Sequence, residues 1–229
     1  MSTAGVLSSM LSALLGSVAL AGLVARRRLR ACLAFPAYLG SAVAGHALVV
    51  AAPDTFWNWE FWLTSDVVQT ALRLGIAFEI TFKTFRPLPA GYRRMRVLFA
   101  GLTLAMALMV ISGTHLPRSA FDLTLVMARI SYGISWLLAV FILAVAYHRV
   151  PIDPLHRDVA VGFGLLGLLV GFAEALSGLD PRLGLGRDVI AKSAYPCLLA
   201  AWCVSAWRRD EPTALSPRAL RILQPWRAQ

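Results

Sequence analysis

Eight ionisable side chains interrupt or border the apolar runs of this chain, and they are the groups whose chemistry asks for an explanation. His46 falls in the second run, Asp66, Arg73 and Glu79 in the third, Arg129 in the fifth, Glu174 in the sixth and Lys192 in the seventh, with Asp188 at the edge of the seventh. Inside hydrocarbon such groups are costly unless they are paired, hydrated or turned towards a bundle interior, so an intramembrane charge is a site by default. Leaving out Glu79 and neutral His46, the set is Asp66, Glu174 and Asp188 against Arg73, Arg129 and Lys192. The balance of signs suggests mutual pairing, and the long stems of Arg129 and Lys192 could also reach an interface. The sharper reading is a polar cavity open to the outer side, where these groups bind a small ligand or relay protons. Asp66, Gln69, Thr70 and Arg73 follow i, i+3, i+4, i+7 spacing, which puts one polar stripe on one helix face. Asp66 and Arg73 are two turns apart, about 10 Å at the usual rise, so each is expected to find a partner on another helix. Glu79 lies four residues before Lys83, which suits a local helical pair.

The elements that must hold these residues are membrane spans. Of 229 residues, 58% are apolar and only 15% charged, and mean hydropathy is +0.67, well outside the range of soluble domains. A bilayer core of about 30 Å needs about 20 helical residues. Runs near that length occupy 6–24, 32–52, 61–82, 97–113, 123–146, 159–179 and 189–207. The expectation is an all-α, polytopic seven-helix transmembrane bundle over residues 1–207, followed by a basic tail at 208–229. The loops between runs are too short to bury a core of their own. The net charge of +10 sits in short clusters between apolar runs, which argues against nucleic acid as a partner and for the lipid bilayer.

Loop charges give the orientation. Arg26, Arg27, Arg28, Arg30, Lys83, Arg86, Arg93, Arg94, Arg96, Arg149, Arg157, Arg208, Arg209, Arg218, Arg221 and Arg227 would face one side, against Arg118, Arg182 and Arg187 on the other. The positive-inside rule then predicts the amino terminus outside and the carboxyl terminus in the cytoplasm. The first run lacks a basic segment before it and is followed by RRRLR, so it is expected to remain as a span. Trp57, Trp59 and Trp62 in FWNWEFW read as an interfacial belt at the outer end of the third span, with Trp207 and Trp226 near the inner surface. The tail sequence SPRALRILQPW could lie on the membrane as a short amphipathic helix.

Several patterns carry less than they offer. Gly162-Phe163-Gly164-Leu165-Leu166-Gly167 matches a dinucleotide fingerprint letter for letter, but it lies inside an apolar span without a preceding strand. Ala160, Gly164, Gly167, Gly171, Ala175 and Gly178 instead form a small-residue face for helix packing. Cys32, Cys197 and Cys203 all fall in apolar runs, and His115, His148 and His156 lie in loops away from His46. No metal and no cofactor is therefore expected. No nucleophile elbow or zinc-binding helix motif occurs, so the chain is not expected to be an enzyme. A lipid-modifying activity would have to draw on residues such as His46 and Glu174. DVVQT at 66–70 and DVIAK at 188–192 echo one another, as a three-plus-one-plus-three repeat would require.

Lys192, four residues after Asp188 in the last span, resembles the helix of microbial rhodopsins that carries the retinal Schiff-base lysine, and Asp66 with Thr70 is similar to a counterion position. The resemblance covers roughly ten residues, and the sixth span has no Trp or Tyr to enclose a polyene. No Arg precedes Asp66 by one turn, Arg187 directly precedes Asp188, and Lys192 sits towards the outer surface. A broader likeness covers most of the chain: basic loop, aromatic outer loop, Glu-bearing third span, then FRPLP at 85–89 and a basic stretch. That order is similar to uncharacterised heptahelical proteins of bacteria, which implies the fold and a bacterial inner (plasma) membrane but no activity. The usage of twenty Arg and two Lys agrees with such a source.

The resulting expectation is a receptor-like or sensory protein with an outward-facing polar site for a small ligand, signalling through a cytoplasmic or membrane partner. The alternative is a small-solute or proton-coupled transporter, in which Glu79 would continue the polar path inward from Arg73.

Overall fold

The computed structural model describes residues 3–86, 94, 97–98, 100–102, 120–147, 150, 152–179 and 184–208. Among the described residues all regular structure is helical: α1 (Thr3–Ala25), α2 (Ala34–Ala51), the single turn α3 (Pro53–Phe56), α4 (Trp59–Phe85), α5 (Ala120–Tyr147), α6 (Pro154–Leu179) and α7 (Gly184–Trp207). Gly5–Ala25, Ala34–Ala51, Arg129–Tyr147 and Pro154–Ala173 are long and apolar enough to cross a membrane. Helix α4 has 27 residues, but Asp66, Arg73, Glu79 and Lys83 lie along it. Helix α7 has 24 residues and carries Pro196 in its interior. Most of the fourth expected span, 97–113, and the tail beyond Arg208 lie outside the described residues.

Local chemistry sets the helix ends. Pro53 opens α3 from the first turn, where a missing N–H costs nothing. Asn58 then caps α4: its Oδ1 accepts from the Phe61 N–H at 2.8 Å while its Nδ2 donates to the Thr55 carbonyl at 2.7 Å. The cap starts α4 at Trp59, two residues before the apolar run begins. Helix α2 starts at Ala34, leaving Cys32 in the connection from α1. That connection turns at Arg27, whose φ of 55° is left-handed, and the Arg28 N–H reaches back to the Leu23 carbonyl at 2.9 Å.

The six long helices form a closed ring. Helix α1 packs on α2, α2 on α4, α4 on α5, α5 on α6, α6 on α7 and α7 back on α1, with a smaller contact of α4 with α6 across the bundle. Phe35, Tyr38, Ile76, Ile80, Leu138, Phe163, Leu199 and Trp202 fill its centre and are almost wholly buried. Two glycines of α6 set the closest approaches. A Cβ on Gly162 would run into Leu198 and Trp202 of α7, and one on Gly167 would run into Ser135 of α5. The small-residue face expected on α6 thus receives α5 at Gly164 and Gly167, but not at Gly171, which faces open space. The outside is apolar: Leu14 at 62%, Leu143 at 69% and Val204 at 71% are exposed, a surface suited to lipid and not to water. The chain is a helical protein whose apolar helices mark it as membrane-integral.

Candidate ligand cavity between α2, α4, α5, α6 and α7

A cavity of about 460 Å³ opens within the ring. Helix α4 supplies Trp62, Asp66, Gln69, Thr70 and Arg73, so the whole stripe read from the spacing faces one space. His46 comes from α2, Met127, Ser131, Tyr132 and Ser135 from α5, Leu166, Gly167 and Val170 from α6, and Tyr195 from α7. The size falls in the ordinary range of small-molecule pockets, roughly 300 to 1,000 Å³.

Its polar groups are incompletely satisfied. Thr70 Oγ1 and Ser131 Oγ share a hydrogen bond at 3.0 Å, which ties α4 to α5. Arg73 donates from one terminal nitrogen to the Tyr38 hydroxyl at 3.3 Å, and its guanidinium lies 5.5 Å from the Tyr38 ring centre and 5.9 Å from that of Phe163. Tyr38 in turn donates to the Tyr195 hydroxyl at 3.4 Å. Buried Arg73 Nε and His46 Nδ1 have no hydrogen-bond partner among the described residues. Neither Asp66 nor Arg73 belongs to an ion pair among the described residues, and the side chains of Glu174, Asp188 and Lys192, the other members of the charge balance on α6 and α7, lie outside those residues. Two turns separate the backbones of Asp66 and Arg73 by about 10 Å, so the two do not meet each other, as their spacing predicts.

The far side of Arg73 is closed by rings. Phe163 and Trp202 stand 4.7 Å apart between centroids, Phe35 and Trp202 5.1 Å, and Tyr38 and Phe163 5.1 Å. Ile76, Ala77 and Ile80 continue α4 through this floor fully buried. Glu79 therefore does not line the cavity.

Beyond the floor lies a second polar cluster. Glu79 accepts from the backbone N–H groups of Leu33 and Ala34, both at 2.9 Å, and from the Cys32 thiol at 3.4 Å. The carboxylate thus satisfies the free amides at the start of α2, which has no cap of its own. Lys83 pairs with Glu79 at 2.7 Å, as the four-residue spacing predicts, and donates to the carbonyls of Arg30 at 3.0 Å and Ala31 at 2.8 Å. His156 Nε2 also contacts the Ala31 carbonyl at 2.8 Å, and Arg28 donates to the Ser205 carbonyl at 3.1 Å. Burial and the adjacent Glu79 carboxylate push the Cys32 thiol up to about 12. These bonds gather the basic α1–α2 connection, Lys83 and the ends of α6 and α7 at one end of the bundle, opposite the Trp57 and Trp59 end of α4.

Of the residues expected to form a site, His46, Asp66 and Arg73 share the cavity. Arg129 is exposed on α5 and does not line it. Glu174 belongs to α6 and Asp188 and Lys192 to α7, and the side chains of all three lie outside the described residues. Trp57 and Trp59 are exposed as a belt would be, but Trp62 turns inward, with its ring 6.2 Å from that of His46. Ser131, Ser135, Tyr132 and Tyr195 were not among the expected site residues. Neutral polar residues in two apolar spans, α5 and α7, were their only signal. Among the described residues no group of three His, Cys, Asp or Glu side chains could hold a metal.

No family model matches this chain, and no curated protein or solved structure matches it either. Its function has to be argued from the cavity.

Proposed function

We propose that this protein is a seven-span receptor-like protein of a bacterial inner membrane, amino terminus outside and carboxyl terminus in the cytoplasm, whose cavity binds a small polar ligand arriving from the outer side. The observation that carries the reading is the unmatched chemistry of one space: among the described residues Asp66 and Arg73 line it without an ion pair, and the buried Arg73 Nε and His46 Nδ1 have no hydrogen-bond partner. Unfilled buried donors are expensive, and a bound polar molecule offsets that cost. Arg26, Arg27, Arg28, Arg30, Lys83 and Arg86 lie at the end away from Asp66, which supports the cavity facing outward under the positive-inside rule. The aromatic floor supports binding over passage. For transport, a polar route would have to continue from Arg73 to Glu79, and Ile76 and Ala77 are fully buried between them. The signal would then reach a cytoplasmic or membrane partner through the basic end of the bundle.

The test is accessibility in intact cells. In a background with Cys32, Cys197 and Cys203 replaced by Ala, a charged, membrane-impermeant thiol reagent added outside should modify Ser131→Cys and leave Arg30→Cys unmodified. Modification of Arg30→Cys alone would reverse the orientation. Protection of Ser131→Cys from both sides of inverted and right-side-out vesicles would remove the open cavity.

A further inference from the structure

We infer that the cavity is built for a small zwitterion, a molecule carrying a carboxylate and an ammonium a few bonds apart as an α-amino acid does, with the carboxylate on Arg73 and Tyr195 and the ammonium on Asp66. The inference rests on the reading of the cavity as a ligand site and adds the chemical class.

The donor end is set by a relay of hydroxyls. A guanidinium has five N–H donors, and Arg73 uses one of them, towards Tyr38. Because Tyr38 spends its own proton on Tyr195, the Tyr195 hydroxyl proton is left to point into the cavity that Tyr195 lines. An anion placed there meets a fork of guanidinium donors and one phenol donor, a geometry that carboxylates match in bidentate fashion. Tyr38 does not line the cavity; its part is to orient Arg73 and to polarise Tyr195.

The acceptor end is Asp66. Its carboxylate lines the same space, is exposed, and forms neither an ion pair nor a hydrogen bond among the described residues. Backbones of Asp66 and Arg73 are about 10 Å apart, and the guanidinium is held at the floor by the Tyr38 hydroxyl and the Tyr38 and Phe163 rings. No ion pair closes the space between the two charges, and a short molecule bridging it would meet both. Among the described lining residues the charge is one negative and one positive. A simple anion would leave Asp66 unmatched and a simple cation would leave Arg73 unmatched, whereas a dipolar ligand satisfies both. Trp62, Met127, Leu166 and Val170 supply an apolar wall for a side chain.

The experiment is calorimetric titration of the full chain in lipid nanodiscs with L-leucine and L-phenylalanine, and with their half-ligands 4-methylpentanoate, isopentylamine, 3-phenylpropionate and phenethylamine. At least one amino acid should bind, and its carboxylate-only and amine-only counterparts should bind at least about tenfold more weakly. Asp66→Asn should bring the carboxylate-only compound level with the amino acid, and Arg73→Gln should abolish both. The half-ligand comparison uses the unaltered protein, so a misfolded variant cannot mimic the result. A half-ligand that binds as tightly as the amino acid overturns the zwitterion and leaves the ligand site standing. Binding of none of the six also overturns it. In that case a native mass spectrum of the unaltered protein from its own membranes decides the underlying reading: another small molecule bound keeps the ligand site, and none removes both.

Discussion

Among the described residues Arg73 donates to the Tyr38 hydroxyl at 3.3 Å and to no carboxylate, although Asp66 lies two turns away on the same helix and lines the same cavity. A protein that used these charges only to hold its helices together would pair them. Their separation therefore makes a stability prediction. Asp66→Asn and Arg73→Gln should each lower stability in detergent by no more than about 1 kcal/mol, because only the Tyr38 bond and the ring contacts of Arg73 are lost. A double-mutant cycle should give a coupling below about 0.5 kcal/mol. Loss of about 3 to 5 kcal/mol in either single variant would mean a buried ion pair.

Glu79 behaves in the opposite way, since its bonds are structural. Glu79→Ala frees the Leu33 and Ala34 amides and removes the ion pair of Lys83, which keeps its bonds to the Arg30 and Ala31 carbonyls. Thermal unfolding in detergent should show a loss of about 2 to 4 kcal/mol, with Glu79→Gln retaining about half of it as a neutral acceptor. Neither change should alter occupancy of the cavity. A stable Glu79→Ala protein that had lost its ligand would place Glu79 on the polar path after all.

The two glycines on one face of α6 should separate cleanly. Gly167→Ala drives a methyl group into Ser135, and overpacking of that kind costs about 1 to 3 kcal/mol while narrowing the cavity. Gly171→Ala meets open space and should be neutral or stabilising by up to about 1 kcal/mol through helix propensity. Equal effects at the two positions would contradict the packing of α6 on α5.

Cys32 should be inert in the folded protein. With its thiol pushed up to about 12 by burial and by Glu79, the thiolate at pH 8 is about a thousandfold scarcer than for a thiol at the ordinary 9.0. In a Cys197→Ala, Cys203→Ala background, a maleimide at pH 8 should label Cys32 only after denaturation, and Glu79→Ala should raise labelling only in part, because burial is the larger cause. Rapid labelling of the folded protein would mean that the α1–α2 connection is open.

Which parts of this were legible in the sequence follows from the range of the interactions. The stripe Asp66, Gln69, Thr70 and Arg73 is a local pattern, and period alone put all four side chains on the face that lines the cavity. His46 was visible as a polar residue in an apolar run. Trp62 was not: in FWNWEFW the other two tryptophans, Trp57 and Trp59, are exposed, and only the register of α4 turns Trp62 inward. Tyr195 and Ser131 are neutral side chains, cheap enough in an apolar span to leave no compositional mark, and they reach the cavity through packing with helices far along the chain. The charge balance points to partners on α6 and α7, and the side chains of Glu174, Asp188 and Lys192 lie outside the described residues. Glu79 was legible as a partner for Lys83, four residues on, but its capping of α2 depends on the end of α4 meeting the start of α2, a contact across about 45 residues.

The most direct test of the central claim is native mass spectrometry of the protein gently extracted from its own membranes, run beside Arg73→Gln. A ligand site predicts a defined small molecule, distinct from lipid, on the unaltered protein and its loss from Arg73→Gln while the variant keeps its stability. Identical spectra for the two, carrying only ordinary lipids, would contradict it.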